Sequence, residues 1–367
     1  MPRFRFIQIC INVMLLFANA VVAPAHAAPY KIEQLASGLD LPWSIAKLPS
    51  GKLLITEKSG QLNRLDQSGA TSIISGVPDV YFASQGGLLD VVLHPDFESN
   101  QLVYLSYASG DVDGNRTTVM RARLTEDSLT NGEVILTVNP AKSAAAHYGG
   151  RLAFLPDNTL LISVGEGFQF REQAQSLSSE LGKVLRVNDD GTPASDNPYP
   201  KHAPRVFSYG HRNPQGLTVD AQTGEIFMHE HGPKGGDELN RIKPGTNYGW
   251  PAITYGLDYS GAIISPYTEA DGMAQPLVYW VPSIGPSGLA VYRGDQFPQW
   301  DGDFFVGALI DQQIIRLNYE NGEITDQERV FTEINERIRD IRVFDDGAFY
   351  IATDEGNIYR ISNADPE

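Results

Sequence analysis

The sequence predicts an all-β fold, a six-bladed β-propeller whose N-terminal strand closes the last blade. Three observations predict it. Segments with one grammar recur roughly every 40 to 70 residues, the spacing of propeller blades with loop insertions. Helix-like periodicity is nearly absent, while short β-branched and aromatic runs lie between Gly, Pro and Asp turns. Tyr30 to Ala36 is left over at the front, where it can pair into the last unit and remove an open edge.

Each unit has a Gly or Pro turn, an apolar run, a second turn and a β-rich run. The first runs from Pro42 to Thr56 and closes with Gly60 to Leu65. The second is Gly87 to Phe97 with Leu102 to Tyr107. The third is Gly150 to Gly165, and the fourth pairs Gly216 to Asp220 with Gly224 to Met228. The fifth pairs Gly288 to Tyr292 with Asp303 to Gly307, and the sixth is Ile341 to Thr353 closed by Gly356 to Ile361. Ala108 to Gly132, Phe168 to Val206 and Tyr248 to Tyr279 read as insertions that decorate one face. A pair of packed sheets in a β-sandwich is the rival reading.

Residues 1–27 read as a secretory signal and 28–367 as one propeller domain. Arg3 and Arg5 form a basic start, Phe6 to Val22 is largely apolar, and Ala25-His26-Ala27 is an A-x-A cleavage site. A membrane anchor is the alternative, but Gln8, Asn12 and Asn19 interrupt the apolar run, which falls short of the ~20 residues of a span. The expected location is the periplasm, with no membrane span. Cys10, the only cysteine, lies in the signal, so the mature chain has no disulfide, thiolate site or haem attachment motif.

The formal charge is −17, from 28 basic and 45 acidic side chains. Such a balance excludes non-specific nucleic-acid binding, which needs a basic surface. There is no P-loop and no G-x-S-x-G elbow, and Gly165-Glu166-Gly167 lacks the third glycine of a dinucleotide fingerprint. An oxidoreductase on this chain needs a cofactor other than a nicotinamide held in a Rossmann unit.

Polar groups stand at the entrances of several units. Gln85 precedes Gly86-Gly87, His147 precedes Gly149-Gly150, Arg212-Asn213 precede Pro214-Gln215-Gly216, and Arg337 and Arg339 open the sixth unit. In a propeller such entrances converge on one end of the channel. His147 suits a general base, since imidazole titrates near neutrality, but a lone histidine more often serves packing or hydrogen bonding. Arg337 and Arg339 alternate along a strand and point together. They either face inward and bind carboxylates or form an outer salt-bridge pair. His229 and His231 share a strand face, but no third ligand for a transition metal is evident. Gly232-Pro233 offers carbonyls and Asp237 and Glu238 follow, a pattern open to calcium or to an ordinary acidic turn.

Several motifs together resemble a known family. They are Gln85-Gly86-Gly87-Leu88-Leu89, His147-Tyr148-Gly149-Gly150-Arg151-Leu152, Gly210-His211-Arg212-Asn213-Pro214-Gln215-Gly216, His231-Gly232-Pro233, Asn247-Tyr248-Gly249-Trp250-Pro251 and Arg337-Ile338-Arg339-Asp340. The chain resembles the soluble, exported glucose/sorbosone dehydrogenases that use pyrroloquinoline quinone (PQQ), above all their aldose sugar dehydrogenase branch. The resemblance implies oxidation of aldose sugars to lactones, with His147 as base at the anomeric hydroxyl and hydride passing to PQQ. It implies that Arg212 stabilises charge on the quinone, that Asn213 and Gln215 hold its rings, and that Arg337 and Arg339 pair with its carboxylates. Gly232 and Pro233 carbonyls would bind a catalytic Ca2+, and Glu238 with the Tyr248 carbonyl a second one. Gln85 and Tyr259 would touch the sugar. Electrons would leave through a diffusible acceptor.

The chain departs from the family in places. Ile310 stands where some members carry a lysine near the cofactor, and Lys234 is the candidate to replace that charge. Ala146 and Ser283 replace an acidic residue and a threonine of the glucose branch, and that branch's long insertions are missing. A broader aldose range and a monomer are therefore expected. A calcium-dependent lactonase and a propeller that only binds are the competing readings.

Overall fold

The computed structural model describes residues 29–364, so the expected signal lies outside the described residues. Six four-stranded antiparallel sheets make six blades. Their innermost strands are Pro42–Lys47, Leu88–Leu93, Gly149–Phe154, Pro214–Val219, Pro286–Val291 and Ile338–Val343, each beside the next around a closed ring. In the last blade Tyr30–Ala36 pairs antiparallel with Ile358–Asn363, in a register running from Tyr30↔Asn363 to Ala36↔Ile358. The expected closure is what forms.

The second strands explain why alternation is weak in the sequence. Leu53–Glu57, Leu160–Val164, Ile226–Glu230, Phe304–Ala308 and Phe349–Thr353 are buried at every position. Both faces of such a strand pack against neighbouring blades, so both carry apolar side chains. An outer strand such as Glu323–Val330 is largely exposed instead. The core fills the wedges between blades. Between the fifth and sixth, Phe297 stacks on Trp300 at 4.6 Å and Phe305 meets Phe349 at 4.5 Å.

Two of the three expected insertions contain blade strands. Leu102–Gly110 pairs with Asn115–Leu124 along its whole length, so Ala108 to Gly132 is mostly a long hairpin of the second blade. Its run of Arg116 to Val119 is β-branched enough to extend the ladder despite its polarity. Phe168 to Val206 contains Lys183–Val187, the third strand of blade three. Tyr248 to Tyr279 is a true excursion between the third and fourth strands of blade four.

A buried charge cluster ties the inner strands together. Arg151 Nη1 meets Asp340 Oδ1 at 2.7 Å, Arg342 Nε meets Asp340 Oδ2 at 2.8 Å, and Arg342 Nη2 meets Asp90 Oδ1 at 2.7 Å. Ser44 also donates to Asp90. Two arginines and two aspartates from blades two, three and six cancel in charge, which a dry interior requires. The Arg151 guanidinium lies 3.9 Å from the Trp43 ring, which forms part of the floor of the cavity above.

Candidate active site

One end of the channel opens into a cavity of about 730 Å³. Gln85, Asn213, Gln215, Arg337 and Arg339 line it, so entrances of blades two, four and six converge as the repeat predicts. Tyr259 and Ile310 form apolar parts of its wall. The lining contains Lys58, Lys234, Arg337 and Arg339 and no aspartate or glutamate side chain. On a chain with 45 acidic and 28 basic residues, that segregation marks a site for an anion.

Arg337 and Arg339 share one carboxylate. Arg339 Nε lies 2.8 Å from Asp354 Oδ1, and Arg337 Nε lies 3.1 Å from Asp354 Oδ2. Arg337 also donates to the Leu309 carbonyl at 2.9 Å. The pair faces the cavity, which decides between the two sequence readings. Burial would raise the Asp354 carboxyl, but Arg339 and Arg337 outweigh it and hold the group below the usual carboxylate range. Asp354 clamps both side chains and leaves a positive excess. Sequence reasoning missed it, because an acidic residue in a turn after a strand carries no local signal.

His147 is 3% exposed and sits beside the cavity, its backbone N–H donating to Gln85 Oε1 at 2.7 Å. Its Nδ1 lies 3.0 Å from Glu166 Oε1. A carboxylate there takes the Nδ1 proton, a tautomer assigned from this bond, and leaves Nε2 as the bare lone pair. Burial pushes the imidazole down to about 4, Glu166 pulling against it and Arg212 adding to it. The close approach depends on Gly165. A Cβ there would come 2.2 Å from the His147 carbonyl oxygen, and His147 itself adopts φ 51°. Glu166 is the second residue missed; its signal was a lone carboxylate between the two glycines of Gly165-Glu166-Gly167. The Phe168 ring stands edge-on to His147 at 5.2 Å and stacks on Tyr259 at 6.3 Å.

Arg212 is buried beside this pair. Its carbonyl accepts from the Glu166 backbone N–H at 2.9 Å, and its backbone N–H is held by Glu230. Glu230 also meets His211 Nδ1 at 3.0 Å, so His211 braces the loop instead of facing the cavity. The Arg212 guanidinium donates to the Gly232 carbonyl at 2.7 Å and to Tyr259 Oη at 3.4 Å, and its Nε is buried without a partner. Asn213 Oδ1 accepts from Gln215 Nε2 at 3.3 Å, which orients both amides.

The expected metal ligands divide. His229 and His231 each spend Nε2 on a carbonyl, of Gly288 and Pro286, and His229 Nδ1 is buried without a partner. Among the described residues no group of three or more His, Cys, Asp or Glu side chains is arranged around a metal position. At the expected catalytic site the Gly232 carbonyl already receives Arg212, so a cation there would share that oxygen. The second site fits a hard cation better. Glu238 shares a small hollow with Tyr248. Burial and then Glu230 push its carboxyl up to about 8, and Asn240 Oδ1 beside it is buried without a partner. Oxygen donors lacking a cation are what calcium would satisfy.

Fold and site together define a six-bladed propeller with a buried histidine–glutamate pair next to a cavity lined by cations. The chain belongs to the glucose/sorbosone dehydrogenase family, whose pattern it matches over residues 39–360. It is 40% identical over 351 residues to a protein named aldose sugar dehydrogenase from Escherichia coli, covering 92% of this chain and 94% of that one. It is 28% identical over 346 residues to quinoprotein glucose dehydrogenase B of Acinetobacter calcoaceticus, covering 84% of this chain and 71% of that one. The solved PQQ-bound aldose sugar dehydrogenase from Streptomyces coelicolor superposes with a TM-score of 0.77 at 29% identity, covering 92% of this chain and 99% of that one.

Proposed function

We propose that the chain is a PQQ- and calcium-dependent dehydrogenase that oxidises aldose sugars at C1 to lactones. The observation that carries this reading is the cavity lined by four cations and no carboxylate, with the buried His147 bonded to Gln85 of its wall. PQQ is a flat quinone bearing several carboxylates, and its names recur among the relatives.

Arg337 and Arg339, held by Asp354, would bind the cofactor carboxylates. The Asn213 and Gln215 amides would hold its ring edge. Gly232 and Pro233 carbonyls would hold the catalytic calcium, and Glu238 with the Tyr248 carbonyl the second. The bound quinone supplies the hydride acceptor and calcium polarises it. The chain does the rest. Gln85 and Tyr259 would orient the sugar. His147 Nε2 would take the anomeric hydroxyl proton, and Glu166 would stabilise the imidazolium that results. Arg212, buried and aimed by Glu230, would offset negative charge on the quinone oxygen in a site with little water. Phe168 and Tyr259 would shield His147 from solvent. The leader over residues 1–27 would deliver the enzyme to the periplasm, and electrons would leave through a diffusible acceptor.

The test is dye-linked oxidation by the apo-protein across a panel of aldoses, with and without PQQ and calcium. Activity is expected only with both. No oxidation of any sugar, and no PQQ uptake by absorbance titration, would sink the reading and direct the next assay to lactone hydrolysis.

A further inference from the structure

Lys58 has no role in the reading above, yet it stands in the same cavity wall as Arg337 and Arg339. It follows the second strand of blade one, and blade one adjoins blade six around the ring. Its Nζ donates to the Ser84 carbonyl at 2.9 Å, which fixes the ammonium beside Gln85. An ammonium has further N–H bonds to give. Among the described residues no carboxylate lies within ion-pair distance of it. Burial, and after it the charge of Arg339, holds this lysine below its ordinary range, with Asp354 and Asp40 only partly offsetting them. A protein that crowds a lysine against an arginine in a half-buried wall leaves a charge for a ligand to complete. Lys234 lines the cavity too, but from the blade-four loop, where its backbone pairs with Leu257. Ile310 brings no charge to the wall.

We infer that Lys58 is a cofactor-binding residue, the third cation that with Arg337 and Arg339 receives the carboxylates of the anionic ring ligand. This assignment rests on the PQQ reading. Lys58 enters the wall from blade one, beside blade six, whereas Ile310 follows the second strand of blade five.

The experiment is absorbance titration of the apo-protein with PQQ in calcium buffer, comparing wild type, Lys58→Gln and Lys58→Arg. Glutamine keeps a donor for the Ser84 carbonyl and removes only the charge, and the thermal midpoint of each apo-variant confirms its fold. Lys58→Gln is expected to raise the PQQ dissociation constant about tenfold, with a shallower salt dependence, and Lys58→Arg to stay within about threefold of wild type. Wild-type affinity in Lys58→Gln overturns the assignment while leaving the cofactor reading intact. Equal weakening in both variants overturns it too, since shape and not charge would then decide. A wild-type chain that takes up no PQQ overturns the cofactor reading and this assignment with it.

Discussion

His147 Nδ1 lies 3.0 Å from Glu166 Oε1, the first residue just before the innermost strand of blade three and the second just after its neighbour. The next blade repeats the pair at the same separation, His211 Nδ1 lying 3.0 Å from Glu230 Oε1. The repeat has put one geometry to two uses. His211 spends its other nitrogen on Ser208 Oγ, at 2.8 Å, and holds the Arg212 loop. His147 instead ties its backbone N–H to Gln85 of the cavity wall.

Replacing His147 by Ala should lower turnover by on the order of 10²- to 10⁴-fold, the range of a positioned base, while PQQ binding persists. Glu166→Gln keeps the hydrogen bond and loses the charge, so turnover should fall with little change in KM. Steady-state kinetics and a PQQ titration check both. Unchanged turnover in His147→Ala removes it as the base.

The acid limb of activity should reflect a histidine near 4 instead of the ordinary ~6.5. The folded value lies below the unfolded one, so between these pH values the unfolded chain binds a proton that the native site refuses. Stability from this group is complete above pH ~6.5, falls as pH drops through the window, and is gone below about 4. The rate profile of kcat/KM should therefore stay flat through pH 6. In Glu166→Gln the limb should move lower still, because Glu166 raises the imidazole.

Arg339→Ala removes a guanidinium that forms two bonds to Asp354 and faces the cavity. The PQQ dissociation constant should rise by about ten- to a hundredfold, and the Arg337, Arg339 double variant should bind more weakly still. No change by absorbance titration places them outside the cofactor site.

Phe168 holds φ 68° and presents a half-exposed ring against His147. Phe168→Ala should leave the thermal midpoint within a few degrees, because little buried area is lost. KM for sugars should rise and turnover fall as water reaches the base. A variant with wild-type kinetics shows that the ring shields nothing.

Asp340→Ala leaves Arg151 and Arg342 buried without their shared carboxylate. The loss should be about 3–5 kcal/mol, enough to drop the thermal midpoint by many degrees. Urea unfolding checks this; a loss below about 1 kcal/mol would mean the cluster relaxes or admits water.

The sequence by itself determined the blade count, the closing strand and most of the residues that meet at the channel mouth. Turns and strand runs are local signals, and one repeat places equivalent positions at one end of the ring. It also carried the family motifs. What it left open were relations between blades. Whether Arg337 and Arg339 faced in or out was decided by packing, and their clamp, Asp354, lies in a different strand connection. Glu166 became His147's partner only because Gly165 lets two backbones touch. The hairpin of Leu102–Gly110 and Asn115–Leu124 was hidden because polar residues on an outer strand look like a loop until a partner strand takes their hydrogen bonds. The cavity's charge was hidden for the same kind of reason. An acidic chain gathers Lys58, Lys234, Arg337 and Arg339 around one space, and only the closed ring brings residues so far apart into one electrostatic field.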